Sequence, residues 1–327
     1  LKKIGKSVNY KPIIIIVAGE PNSIFFELFF KIIKKKIKSP IILIASKKLI
    51  IKQAKILKTK INFSITNEFE VIKKKNKLKR VNLIDVDFIQ SSGFEKITTK
   101  SNNYINSCFD IAIKLLKNKI SNKFVNGPIS KKNFLKKKFN GITEYLAHKT
   151  NTKKFAMIIY NKNLSVCPLT THLPIKYVNK RINKLEIINK VKLIDNFWKK
   201  EFGKQVKIGV TGLNPHCESI DSFNEDQNII LPAIKKLKKL KYNIEGPLAA
   251  DTIFLKNNRK KFDLIIGMYH DQVLTPIKTL FEYDAINVTI GLPFIRVSPD
   301  HGPNESMLGK NKSNYLSLLN SIKFLDF

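Results

Sequence analysis

The chain has 327 residues, 43% of them hydrophobic, and 60 Lys and Arg against 25 Asp and Glu give it a formal charge of +35. Such a hydrophobic fraction excludes an intrinsically disordered chain, and the length accommodates two domains or one large one. The charge does not mark a nucleic-acid binder: only Arg80, Arg181, Arg259 and Arg296 are arginines, and the lysines are scattered among Ile and Asn along the whole chain, whereas nucleic-acid proteins concentrate charge and use planar Arg forks. Solvated Lys faces with no nucleic-acid partner are expected, in a field that attracts anionic substrates.

In chain order, the first element is an apolar run at 13–18, read as a buried strand. Lys2, Lys3, Lys6 and Lys11 ahead of it imitate the basic region of a signal peptide, but the run is short and leads into Gly19-Glu20-Pro21 with no small-residue cleavage site. A helix is predicted over 25–36, a strand over 40–45, an exposed charge run over 73–79 and a helix over 107–118. Strands follow at 124–126, 155–160 and 165–169, then a helix over 177–202, a strand at 206–210, a helix over 228–240 and a strand at 264–268. Continuous apolar strands separated by amphipathic helices predict an α/β fold with parallel sheets covered on both faces. No stretch approaches the ~20 apolar residues of a membrane helix. Cys108, Cys167 and Cys217 have no CxxC spacing, so a reducing, cytoplasmic setting is the expectation. There is no GxGxxG after the first strand and no GxxxxGK[ST], the usual supports for a Rossmann or P-loop site.

Three of the five histidines stand just beyond apolar strands: His172 in Thr170-Thr171-His172-Leu173-Pro174, His216 in Leu213-Asn214-Pro215-His216, and His270 in Met268-Tyr269-His270-Asp271-Gln272. Ligands of open α/β sheets bind outside the carboxyl ends of strands, and three imidazoles delivered there can form a divalent-metal cluster. A single histidine in such a place is more often a hydrogen-bonded structural residue, so both readings stand on the pattern alone. Asp271 is placed to orient an imidazole by accepting its ring N–H. Lys278 and Arg296 are candidates for binding an anion, Arg296 the more specific because guanidinium binds phosphate or carboxylate bidentately.

These residues fall in a series of motifs that resembles the 4-hydroxythreonine-4-phosphate dehydrogenase family over nearly the whole chain. The matching segments, in family order, are Ala18-Gly19-Glu20-Pro21, Asn126-Gly127-Pro128-Ile129-Ser130-Lys131, Gly141-Ile142-Thr143-Glu144-Tyr145-Leu146-Ala147, the three histidine motifs, Gly246-Pro247-Leu248-Ala249-Ala250-Asp251-Thr252, and 287–296 running into Asp300-His301-Gly302. The resemblance implies a fold like that of isocitrate and isopropylmalate dehydrogenases, with two α/β/α domains and a cleft between them. The first domain is expected to be discontinuous, 1–125 plus 285–327, and the second, 126–284, to carry the metal ligands and dimer contacts. It implies a homodimer whose active sites are shared between subunits.

By position, His172, His216 and His270 match the family's metal ligands (Zn, Mg, Mn or Co), one of them from the partner subunit. Thr143, Lys278, Asn287 and Arg296 match its substrate contacts, and His301-Gly302 resembles the loop on the adenine side of NAD, with NADP the alternative. The implied reaction is NAD-dependent oxidation and decarboxylation of 4-phosphooxy-L-threonine to 3-amino-2-oxopropyl phosphate in vitamin B6 synthesis, with Asp251 and Asp271 as candidates for proton transfer or for supporting an imidazole. Two other readings are a related dehydrogenase for another phosphorylated hydroxy acid, such as a four-carbon sugar-acid phosphate, and a low-activity member. They arise from the departures: Ile142 where members usually carry His, Ser23-Ile24-Phe25-Phe26-Glu27 where members carry Gly-Ile-Gly-Pro-Glu, Val273 for a usual Gly, and Pro303 for a usual Thr.

Overall fold

The computed structural model describes residues 12–73, 78–136 and 138–326; Lys2, Lys3, Lys6, Lys11 and part of the 73–79 charge run lie outside the described residues. The strands, numbered in chain order, are β1 (Ile14–Val17), β2 (Ile41–Ala45), β3 (Ser64–Thr66), β4 (Val81–Asp85), β5 (Lys123–Asn126), β6 (Ala156–Tyr160), β7 (Ser165–Pro168), β8 (Ile208–Thr211), β9 (Ile244–Leu248), β10 (Leu264–Gly267), β11 (Ile286–Ile290) and β12 (Ile295–Pro299). Two compact units emerge, Leu1–Lys138 with Arg296–Phe327, and Phe139–Ile295. Residues 126–138 therefore group with the first unit, where β5 pairs with β1, and residues 285–295 with the second, where β11 pairs with β6.

In the first unit the strand order is β3-β4-β2-β1-β5, and all four pairings are parallel. β1 and β2 are buried at every position, as expected of strands covered on both faces. The helices here are α1 (Phe25–Ile32), α2 (Lys47–Ile56), α3 (Glu68–Lys73) and α4 (Asn102–Lys117), and α4 packs on β1 and β2. α1 buries Phe25, Phe26, Leu28, Phe29, Phe30 and Ile32, so it is apolar nearly all round and lies inside the unit. Each such side chain contributes about 1.5–3 kcal/mol of transfer free energy. α2 starts where Ser46 accepts a hydrogen bond from the Leu49 N–H.

The second unit has the order β11-β6-β7-β10-β8-β9. Its β7, β10, β8 and β9 are parallel, but β6 runs antiparallel to both β11 and β7. The wholly parallel sheet expected from the sequence fails here because only residues 161–164 join β6 to β7; that closes a hairpin, whereas a parallel return needs a crossover of a dozen residues or more. Its longer helices are α5 (Ile142–Lys149), α6 (Lys184–Phe202), α7 (Leu231–Lys239) and α8 (His270–Phe281), and α9 (Leu316–Leu325) returns to the first unit. The continuous helix expected over 177–202 is broken: Ile182 is extended, and Asn183 caps α6 by accepting from the Glu186 N–H at 2.9 Å. A side-chain cap competes with helix continuation at such residues. Gly203, at φ 66°, ends α6. Among the described residues no helix is long and apolar enough to cross a membrane.

Candidate active site

Parallel register brings three strand ends of the second unit level. Pro168 at the end of β7 pairs with Gly267 at the end of β10, and Val210 near the end of β8 pairs with Ile266. Hydrogen bonds beyond the sheet extend this alignment. The Leu169 N–H donates to the Gly267 carbonyl at 2.7 Å, and the Thr170 hydroxyl donates to the Met268 carbonyl at 2.8 Å. Gln272 ties the next pair together: its Oε1 accepts from the Met268 N–H (2.7 Å) and the Thr211 hydroxyl (2.8 Å), and its Nε2 donates to the Gly212 carbonyl (2.8 Å).

His172 and His270 emerge from two of these ends with ring centroids 5.7 Å apart. His270 opens α8, and its Nδ1 lies 2.8 Å from Asp271 Oδ1. A carboxylate that accepts a hydrogen bond from Nδ1–H favours the tautomer whose Nε2 lone pair is available to a cation. His172 sits at φ 50° and His216 at φ 54°, in the left-handed region that non-glycine residues enter only when their surroundings hold them. His216 is largely exposed and forms a separate pair with Asp251, Nδ1 to Oδ2 3.8 Å. Among the described residues no group of three His, Cys, Asp or Glu gathers as for a metal. The single chain thus assembles two imidazoles of the predicted three, with His216 and Asp251 standing apart from them.

The predicted substrate contacts of this unit lie on α5, α8 and β11. Thr143, in the first turn of α5, is buried with its hydroxyl 3.4 Å from that of Thr289 on β11. Asn287, two residues earlier on β11 and therefore on the same sheet face, has a buried Oδ1 without a hydrogen-bond partner. Lys278 is half-buried on α8, and desolvation holds its pKa below the ordinary lysine value. Ile142, half-buried, begins α5 beside Gly141, and a Cβ built on Gly141 would stand 3.5 Å from His172 Cε1.

The first unit holds the remaining predicted residues. Arg296 on β12 is 1% exposed, and its Nε donates to Asn126 Oδ1 at 2.7 Å. His301 places Nδ1 3.0 Å from the Gly302 carbonyl, and Gly302 has open space where a Cβ would stand. The substituted loop keeps its glycine-type conformation at Gly19 (φ 81°), while Ser23, Phe25 and Phe26 have no positive φ and are buried. Losing glycines at 23 and 25 therefore imposes no backbone strain in this chain. Val273 is buried in a cluster with Ile265 and Ile277.

Sequence reasoning passed over Asp226. Fully buried, it accepts from the Leu213 N–H (2.7 Å), the Asn214 N–H (3.1 Å) and Asn214 Nδ2 (3.0 Å), all in the turn that leads to His216. Its only sequence signal is an acidic residue in a chain with few of them. Cys217, next to His216, has its pKa raised by burial and then by the Asp226 carboxylate.

The family model described as pyridoxal phosphate biosynthetic protein PdxA matches residues 36–325. A 4-hydroxythreonine-4-phosphate dehydrogenase of a Sulfurihydrogenibium species is 36% identical over 94% of this chain and 95% of its own length. An Oceanobacillus iheyensis protein, 30% identical over 95% of this chain and 96% of its own, carries the provisional name D-threonate 4-phosphate dehydrogenase. The crystal structure of a 4-hydroxythreonine-4-phosphate dehydrogenase from Klebsiella pneumoniae superposes with a TM-score of 0.81 at 25% identity, covering 96% of this chain and 98% of that one. An isocitrate dehydrogenase from Methylococcus capsulatus, at 8% identity and a TM-score of 0.50 over 96% of this chain and 84% of its own, shares the fold alone.

Proposed function

Because this chain belongs to the pyridoxal phosphate biosynthetic protein PdxA family, we propose that it oxidises and decarboxylates 4-phosphooxy-L-threonine to 3-amino-2-oxopropyl phosphate with NAD, or NADP, as oxidant. The observation that carries this reading is the His172–His270 pair at neighbouring strand ends, with Asp271 on one ring. His172, His216 and His270, one of them from a second copy, would hold a divalent cation (Zn, Mg, Mn or Co), which would make the working enzyme a homodimer. The donor chemistry fits the zinc and cobalt end of that range best, because imidazoles backed by carboxylates suit such ions. When bound, the cation supplies Lewis acidity toward the substrate hydroxyl.

The chain's own residues bind, orient and move protons. Lys278 and Arg296 neutralise the phosphate and carboxylate, Thr143 adds a neutral hydrogen bond, and the unpartnered Oδ1 of Asn287 accepts from the substrate. His301 and Gly302 contact the adenine side of the dinucleotide. In the oxidation the C3–H bond breaks with its electron pair passing to nicotinamide, and the hydroxyl proton passes to Asp271 or Asp251. The C1–C2 bond then breaks, CO2 departs, and the electron pair left on C2 takes a proton. Three free cysteines support a cytoplasmic setting, and the dispersed lysines support the absence of a nucleic-acid partner.

Ile142 favours a second reading, a substrate such as another phosphorylated hydroxy acid, because an apolar side chain at the start of α5 offers no hydrogen bond where the family's histidine does. One assay tests both. Purified protein with NAD and a divalent metal is given 4-phosphooxy-threonine and D-threonate 4-phosphate separately and in competition, and NADH absorbance is followed. NADH from the first substrate, lost by about three orders of magnitude in His270→Ala, is the expected result. Preference for the second substrate moves the assignment to that reading, and a His270→Ala protein as active as the parent removes the metal site from both.

A further inference from the structure

We infer that Asp226 and Gln272 are positioning residues that clamp the turn Gly212-Leu213-Asn214 from two sides and thereby fix the backbone that presents His216. This rests on the reading of His216 as a metal ligand. Asp226 opens a short turn of π-helix ahead of α7 and is fully buried. Its carboxylate takes three donors from the turn, the N–H groups of Leu213 and Asn214 and the Asn214 amide. From the other side Gln272, in the first turn of α8, donates to the Gly212 carbonyl while accepting from Thr211 and Met268.

Gly212 is pinned between them: a Cβ there would meet Asp226 Oδ1 and Cys217 Sγ, each at 2.6 Å. The turn leads directly into two consecutive left-handed residues, His216 at φ 54° and Cys217 at φ 64°. Backbone of this kind persists only where the surroundings over-determine it, and on this side of the turn the clamp provides that constraint. Gln272 also reaches the Met268 N–H two residues before His270, so one amide spans the turn of one proposed ligand and the strand end of another. Neither residue can be replaced by its nearest relative without conflict. An asparagine at 226 sets an NH2 group against donors, and a glutamate at 272 sets an oxygen against the Gly212 carbonyl.

The test titrates the full-length metal-free protein with cobalt(II) alone and reads its visible absorption and affinity, with no substrate or turnover. Asp226→Asn and Gln272→Glu are expected to weaken cobalt binding by roughly 10–100-fold and to alter the band shape, while far-UV circular dichroism stays that of the parent. Asp195→Asn, a buried carboxylate on α6 that pairs with Lys199 rather than with the turn, is expected to bind cobalt as the parent does. Parent-like affinity in Asp226→Asn and Gln272→Glu, with His216→Ala weakened, overturns the clamp and leaves the metal site standing. An equal loss in Asp195→Asn also overturns it, because the effect is then general destabilisation. Parent-like binding by His216→Ala overturns both the clamp and the metal reading. If Asp226→Asn does not fold, Gln272→Glu decides.

Discussion

Beyond β1 and β4 several polar side chains are buried and hydrogen-bonded to one another, whereas beyond β7, β8 and β10 several stand open. In the first unit Ser101 donates to Glu20 Oε2 at 3.0 Å, the Asn22 and Gln90 amides exchange hydrogen bonds at 3.3 and 3.2 Å, and Gln53 Nε2 spans the carbonyls of Pro21 and Gly93. In the second unit His270 is 33% exposed and Asp271 80%, and both His216 and Asp251 face solvent. Both are carboxyl edges of parallel strands. Hydrogen bonds between buried polar groups brace one edge; leaving imidazole and carboxylate at the surface gives the other the capacity to bind a ligand.

That contrast can be broken most sharply at Gly127. A Cβ there would lie 2.1 Å from the Ala18 carbonyl oxygen and 2.6 Å from the Phe25 ring, so Gly127→Ala forces two chain segments of the brace apart. We expect a stability loss of about 3 kcal/mol, read from the midpoint of urea unfolding. A loss under half of that shows the brace to be compliant.

Arg296→Lys comes next. The lysine keeps the charge but loses the Nε donor to Asn126, so a charged hydrogen bond of about 1.5–3 kcal/mol is removed. The same denaturation experiment measures the loss, and a KM for phosphorylated substrate that rises with kcat little changed is the expected kinetic counterpart.

The smallest effect belongs to Glu20→Gln. Burial raises the Glu20 pKa above 4.5, against the lowering influence of hydrogen bonds from the Asn22 N–H and Ser101. A raised folded-state pKa means that the stability Glu20 contributes is complete below 4.5 and is lost as pH rises through the folded value. Glu20→Gln is therefore expected to be more stable than the parent at neutral pH and to lose that advantage on acidification, as followed by thermal unfolding at a series of pH values. A difference that stays constant with pH shows that Glu20 does not titrate in this range.

The strands legible in the sequence were those whose local pattern matched their burial. β1, β2 and β10 read as uninterrupted apolar runs because both of their faces are covered. β4, β9, β11 and β12 carry Asn, Glu, Pro or Arg within the run, and nothing in their periodicity separates them from loops. Arg296 illustrates the difficulty: no local pattern foretells the burial of a guanidinium on a strand, which depends on Asn126, distant in sequence. Helix α5 has Gly141 at its N-cap and no side-chain cap hydrogen bond, so its start signal is weak.

By itself the sequence determined that apolar strands alternate with helices, that three histidines follow three of those strands, and that the ordered motifs are those of one enzyme family. Those are local properties, set by side-chain hydrophobicity and by spacing along the chain. Only the tertiary structure decided that His172 and His270 lie together while His216 stands with Asp251, and that Asp226 and Gln272 hold the turn between them. Strand register and buried hydrogen bonds between distant segments fix those separations, and both depend on pairings that no local stretch of sequence encodes.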